Sequence, residues 1–252
     1  MEPEYIVSRQ NPLMVRTAKL LSSRKHRRSE GLFAGDGIKL LSEAVAWRPD
    51  QLYAVILRED LPWPELPAHV RRISVPAALM ERISGMEAPE GAIFLMRALP
   101  EPEGTLGPGT LVLDGIQDPG NLGSILRTAD ALDVPVLLTG GCADPFSPKT
   151  VRASMGAVLR TPPASIGREE LIRRCREEQL PLWAAALTDS AGDIRTAPLR
   201  KGVVIVGSEG SGVSRELLEA SDGQLIIPMH PRCESLNAAA AAAIVLWQMT
   251  KL

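Results

Sequence analysis

Three short polar segments, each placed where an apolar run gives way to a helical pattern, hold the residues of this chain best suited to chemistry. They are Asp118-Pro119-Gly120-Asn121-Leu122-Gly123-Ser124 with Arg127 beyond it, Val206-Gly207-Ser208-Glu209-Gly210-Ser211-Gly212, and Ile227-Pro228-Met229 followed by Glu234-Ser235-Leu236-Asn237. Each reads as a strand opening into a turn and then a helix, and the carboxyl ends of strands are where open α/β sheets bind ligands. The glycines permit close backbone approach. Asn121 can fix its loop, and Arg127, one turn into the following helix, can project from the mouth of the site. Glu209 puts a carboxylate into a loop otherwise made of small residues. A purely structural reading stands beside this one: Asn121, Ser235 and Asn237 as helix caps, Arg127 as a surface charge, Glu209 bonded to its own loop. The Gly207, Gly210 and Gly212 spacing lacks both the Gly-Lys-Ser/Thr ending of a phosphate loop and the dinucleotide fingerprint.

In their order, the three segments resemble the motifs of the SpoU-TrmH family of RNA ribose 2'-O-methyltransferases, over roughly residues 109–252. The resemblance implies S-adenosylmethionine as cofactor and a C-terminal parallel-sheet domain threaded into a trefoil knot, which periodicity alone does not show. It implies that the backbone around Gly207, Ile227, Met229 and Leu236 lines the adenine and ribose, with Thr139 and Gly140 bordering the same cleft. Arg127 then stabilises a developing ribose alkoxide, since a guanidinium is a poor proton acceptor. Asn121, Glu209, Ser235 and Asn237 orient it and the ribose. Arg152, in Arg152-Ala153-Ser154-Met155-Gly156-Ala157, is expected against RNA phosphate, and the C-terminal domain is expected to form a homodimer. Two departures from the family pattern stand out: Ala238-Ala239 replaces Val-Ser after Asn237, and Asp36 stands where a glutamate is usual.

The strongest rival is a non-catalytic RNA-binding protein that keeps the methyltransferase fold, against which the intact Asn121, Arg127, Glu209 and Asn237 argue. A nicotinamide-dependent dehydrogenase would need the missing glycine fingerprint.

The elements that must position these residues fall into two parts. Apolar runs Leu111–Ile116, Val134–Leu138, Leu182–Leu187, Val203–Val206 and Leu225–Met229 alternate with helical patterns such as Arg168–Gln179 and Ser235–Thr250. Continuous apolar character predicts strands buried on both faces, hence a parallel sheet covered by helices. Before them, residues 1–99 read as a small α/β/α unit with strands near Leu52–Leu57, Arg71–Val75 and Ala92–Leu99, similar to the family's ribosomal-protein-like substrate-binding domain. Pro- and Gly-rich residues 100–109 form the linker, and 110–252 the methyltransferase domain.

Asn11-Pro12 starts a helix whose apolar stripe is Met14, Ala18 and Leu21, running toward Arg24. Arg24-Lys25-His26-Arg27-Arg28 finishes it. Residues 1–28 carry seven Lys or Arg against Glu2 and Glu4, a net +5 within a chain of net charge -2. That end is a candidate phosphate-binding surface through Arg24, Lys25, Arg27 and Arg28, or else a solvated face. The partner expected is a large structured RNA, ribosomal ahead of transfer RNA, and not DNA.

At 252 residues with 45% hydrophobic content, the composition is that of a soluble globular protein. The longest apolar run, Ala238–Trp247, falls far short of the roughly 20 residues that cross a bilayer. An acidic start without an apolar segment predicts a cytoplasmic protein with no membrane partner. Cys142, Cys175 and Cys233 have no paired spacing, and His230 with Cys233 lacks a second pair, so no metal is expected.

Overall fold

The computed structural model describes residues 2–100, 102, 106–188 and 191–250. The N-terminal stretch holds β1 (Glu4–Tyr5), α1 (Pro12–Ser22), α2 (Arg24–Glu30), β2 (Leu32–Asp36), α3 (Ile38–Trp47), β3 (Leu52–Arg58), β4 (Arg71–Val75), α4 (Ala77–Ile83) and β5 (Ala92–Arg97). The five strands order as β1-β4-β3-β5-β2. β5 is antiparallel to β3 and β2, whereas β1 and β3 run parallel to β4. Asn11 caps α1 by accepting from Leu13 N at 2.9 Å, with Pro12 at the first helical position. Leu13, Met14 and Leu20 then bury against Ala54, Ile56, Ile73, Ile93 and Leu95 of the sheet.

The basic segment departs from the expected single helix. Ser23 is extended, with φ -128°, and its Oγ accepts from His26 N at 3.3 Å, so it ends α1 and caps α2 at once. Gly31, with φ 60°, closes α2 in the left-handed conformation common at helix C-termini. The break also changes the face that Arg27 presents. Arg27 is buried, and its Nη1 donates to Leu20 O at 2.7 Å, a carbonyl in the last turn of α1 that has no partner within its helix. Arg27 therefore does not lie on the exposed basic face with Arg24, Lys25 and Arg28.

Of the expected linker, Glu101 and Glu103–Thr105 lie outside the described residues. Beyond it come β6 (Thr110–Asp114), α5 (Pro119–Ala131), β7 (Val136–Leu138), α6 (Pro148–Ala153), α7 (Ala157–Arg160), β8 (Ala164–Ser165), α8 (Arg168–Glu177), β9 (Leu182–Ala185), β10 (Gly192–Asp193), β11 (Val203–Gly207), α9 (Arg215–Ala220), β12 (Gly223–Ile226) and α10 (Ala238–Thr250). Seven strands form one parallel sheet in the order β10-β12-β9-β11-β6-β7-β8. β6 is buried throughout and β11 nearly so, as their unbroken apolar runs require. Val112, Leu137, Ala184, Val203 and Ile205 pack with Leu171 and Cys175 of α8 and Leu217 of α9.

The chain divides into two compact units, Met1–Pro100 with Phe146–Arg160, and Glu101–Pro145 with Thr161–Leu252. The division is not contiguous in sequence, because α6 and α7 cluster with the first unit. Phe33 and Phe146 stack with ring centroids 4.8 Å apart. Arg48 donates from Nε to Leu159 O at 2.7 Å and from Nη2 to Arg160 O at 2.9 Å, and Arg160 pairs with Glu43. Arg48 thus satisfies two carbonyls in the last turn of α7.

Candidate active site

The carboxyl ends of β9, β11 and β12 open into one cavity of about 400 Å³, within the usual range for small-molecule sites. Its walls are Ala185, Val206, Ile226, Ile227, Met229 and Leu236, and its floor is the loop from Gly207 to Val213. The loop folds back on itself: Ser208 N donates to Gly212 O at 3.2 Å and Gly212 N to Ser208 O at 2.9 Å. A Cβ on Gly207 would stand 2.0 Å from the Gly212 carbonyl carbon, so only glycine lets the two backbones meet there. Apolar walls with exposed backbone groups suit a neutral heteroaromatic ring better than a phosphate.

Glu209, at the tip of this loop, gathers the other two segments. Its Oε1 accepts from Asn121 Nδ2, from Asn237 Nδ2 at 3.5 Å and from Ala238 N at 3.4 Å, and Asn237 Nδ2 also donates to Asn121 Oδ1 at 3.1 Å. Asn121 is not the cap of α5. That place belongs to Asp118, whose Oδ1 accepts from Asn121 N at 2.9 Å, leaving the Asn121 amide to turn outward. Ser235 lines the cavity beside Leu236, while α10 starts three residues later than its sequence pattern suggests, at Ala238.

The remaining expected residues lie apart from this group. Arg127 is exposed on α5 and borders a separate concavity with Ser124, Thr128, Ala243 and Trp247. Thr139 and Gly140 lie outside the cavity lining: Thr139 Oγ1 donates to Asp114 Oδ1 at 2.5 Å, and Gly140 O accepts from Arg168 Nη2 at 3.2 Å. Arg152 sits on α6, in the first unit, and its Nη1 is buried without a hydrogen-bond partner among the described residues. The residue as a whole is half-buried. In the same unit the departure at Asp36 is buried as well, its Oδ2 accepting from Ser84 Oγ at 2.6 Å and Gly85 N at 3.2 Å, and burial pushes its carboxyl above the usual range.

Sequence reasoning passed over Asp114, the last residue of β6. It is almost fully buried and takes hydrogen bonds from Thr139, from Arg168 Nε at 2.9 Å and from Ser214 N at 2.7 Å. Burial raises its carboxyl, but these donors outweigh it and hold the group below the usual aspartate range. The available signal was a carboxylate closing an otherwise apolar strand, which is costly to bury unless partnered.

Comparison with known proteins agrees with this geometry. The model of the SpoU rRNA Methylase family matches residues 108–247, and that of an MRM3-like substrate binding domain matches residues 11–93. The chain is 29% identical to the 23S rRNA (guanosine(2553)-2'-O)-methyltransferase RlmP of Bacillus subtilis, covering 93% of this chain and 95% of that one. It is 33% identical to an uncharacterized tRNA/rRNA methyltransferase of Synechocystis over 96% of this chain and 92% of the relative. An AdoMet-bound rRNA methyltransferase from Sinorhizobium meliloti superposes with TM-score 0.84 at 28% identity, covering 98% of this chain and 97% of the other. With a family match over more than half of its length, and with its three motifs meeting at Glu209, the chain belongs to the SpoU rRNA methylase family.

Proposed function

We propose that this protein transfers a methyl group from S-adenosylmethionine to a ribose 2'-hydroxyl of ribosomal RNA rather than transfer RNA. The observation that carries the reading is the meeting of Asn121, Glu209 and Asn237 beside an apolar, backbone-lined cavity. The cofactor, when bound, supplies a methyl group made electrophilic by its sulfonium. Gly207, Ile227, Met229 and Leu236 suit its adenine and ribose, because this part of the cavity offers amides, carbonyls and apolar contact, with Glu209 the one charged side chain in the lining.

The chain's own residues then have to place the hydroxyl and manage its proton. Asn121, Glu209, Ser235 and Asn237 offer donors and acceptors at the cavity's edge to orient the ribose. Arg127, as a cation throughout, stabilises the alkoxide that develops as the proton leaves, and the proton passes to an RNA phosphate. Since Arg127 borders a different concavity from Glu209, a homodimer through the C-terminal domain is part of this reading: a second copy would bring an Arg127 toward each cavity. Exposed Ile244 and Trp247 on α10 offer apolar surface for such a contact. The trefoil knot and a cytoplasmic place of work belong to the same reading, as does phosphate binding by Arg24, Lys25 and Arg28.

Methyl transfer to purified ribosomal and transfer RNA, followed by mapping of 2'-O-methyl positions, tests it. Stoichiometric modification of one ribosomal nucleotide is expected. Calorimetric binding of S-adenosylmethionine without transfer to any RNA would favour the non-catalytic alternative.

A further inference from the structure

Both ends of the loop that floors the cavity converge on one carboxylate. In the parallel ladder between β11 and β6, Gly207 stands opposite Asp114, so the loop leaves the sheet beside this residue. The loop returns after Val213, where Ser214 N donates to Asp114 Oδ2 at 2.7 Å. The other oxygen is occupied from the opposite side: Oδ1 accepts from Thr139 Oγ1 at 2.5 Å and from Arg168 Nε at 2.9 Å, with Arg168 Nη2 2.8 Å away in the same ion pair. Arg168 Nη2 in turn donates to Gly140 O, tying in the turn after β7. Asp114 is only 2% exposed.

We infer that Asp114 is a positioning residue for the methyl-transfer site, holding the Gly207–Ser214 loop closed so that the cofactor cavity and Glu209 are formed before any ligand arrives. The inference rests on the reading of that cavity as the S-adenosylmethionine site. The charge on Asp114 is what lets one side chain serve donors from three elements. An ionised carboxylate is acceptor-only, with sites for all three donated hydrogens, whereas an amide must turn an N–H toward one of the donors. Arg168 and Thr139 hold the carboxylate still, and Ser214 is the one loop group that it fixes. Loss of that hold lets the loop sample open shapes, and the cofactor's apparent affinity falls with the fraction that remains closed.

The test compares wild type, Asp114→Asn and Ser214→Pro for S-adenosylmethionine binding in a calorimeter and for steady-state methyl transfer. Ser214→Pro removes the loop's N–H together with a hydroxyl that makes no hydrogen bond among the described residues, and φ at Ser214 is -59°, a value proline adopts. Both variants should melt as cooperatively as wild type. Their Kd and KM for S-adenosylmethionine should rise by about 10- to 100-fold, the size of a lost charge-assisted hydrogen bond, with kcat at saturating cofactor within about threefold of wild type. A residue serving only the sheet would lower folded protein and kcat without this split. Unchanged cofactor affinity in either folded variant overturns the inference, as does failure of both to fold, which would assign Asp114 to the sheet's stability. Absence of binding by wild type would instead sink the reading of the cavity.

Discussion

Asn237 caps α10 with one end of its side chain and donates to Asn121 with the other. Its Oδ1 accepts from Ala239 N at 3.0 Å and Ala240 N at 3.3 Å, while Nδ2 reaches Asn121 Oδ1 at 3.1 Å. The capping and the active-site readings of this residue are thus not alternatives. Anchoring Oδ1 on two backbone amides fixes which way the amide nitrogen points, and so aims it at the Asn121–Glu209 pair.

This double use makes two substitutions at one position informative. Asn237→Asp keeps a good cap, since aspartate and asparagine cap equally well, but replaces the donor with a second carboxylate facing Glu209. It should melt within a few degrees of wild type yet methylate at least about tenfold more slowly, more than about 1.4 kcal/mol in transition-state terms. Asn237→Ala should lose the same activity and, in addition, about 1 kcal/mol of stability. Thermal melts alongside single-turnover methylation decide the matter; an Asp variant at full rate would reduce Asn237 to a cap.

Arg127→Ala should leave folding and S-adenosylmethionine affinity intact, because Arg127 is exposed on α5 and lies outside the cavity lining. Methyl transfer should slow by about 100- to 1000-fold, the usual loss for a preorganised charge stabiliser. Turnover within about threefold of wild type would remove Arg127 from the chemistry.

What was legible in the sequence, and what was not, follows from how local each signal is. The parallel sheet could be read from unbroken apolar runs, and Glu209 from its isolation among small residues. Strands of two residues, such as β8 and β10, are too short to show a period. The break at Ser23 hides in a pattern that keeps helical spacing on either side, and with it the inward turn of Arg27. The partition of Phe146–Arg160 into the first unit depends on long-range pairings such as Arg48 with Leu159, more than a hundred residues apart, which no window of sequence contains. Asp114 escaped notice because its partners Thr139, Arg168 and Ser214 come from three later elements.

The glycines of the floor loop are not equivalent. A Cβ at Gly207 meets the Gly212 backbone at 2.0 Å, whereas one at Gly210 meets nothing within 4 Å. Gly207→Ala should therefore destabilise the protein by about 1 to 3 kcal/mol through overpacking, while Gly210→Ala leaves the melting temperature within a degree or two. Equal melting temperatures for the two variants would show that the Ser208–Gly212 turn does not close over Gly207.

The hydrogen bonds at Asp114 carry a pH signature. Its carboxyl lies below the ordinary aspartate value of 3.8, because the bonds from Thr139, Ser214 and Arg168 outweigh the opposing effect of burial. A depressed pKa in the folded state means stability that is present above the ordinary value and lost as pH falls through the lower, folded one. Wild type should therefore exceed Asp114→Asn in unfolding free energy by a constant margin from pH 7 to about 5, and that margin should shrink only below about pH 3.8. A margin that closes near neutrality would assign it to some other group.

The basic N-terminal segment calls for charge substitution rather than truncation. Removing residues 1–28 would take Leu13, Met14 and Leu20 out of the first unit's core and confound any weakening of RNA binding with unfolding. Arg24, Lys25 and Arg28 are exposed on α2, whereas Arg27 is buried against Leu20. The triple substitution Arg24→Gln, Lys25→Gln and Arg28→Gln should thus leave the melt unchanged and weaken binding to ribosomal RNA fragments. It should also flatten the log-log dependence of affinity on salt by roughly 0.7 to 0.9 for each phosphate that is no longer neutralised. S-adenosylmethionine binding should not move, since every residue lining the cavity lies beyond residue 184. Arg27→Gln should do the reverse, lowering the melting temperature by exposing an unpaired Leu20 carbonyl while leaving the salt slope intact. Wild-type affinity and slope in the triple variant would make the α2 charges a solvated face and leave phosphate binding to other residues.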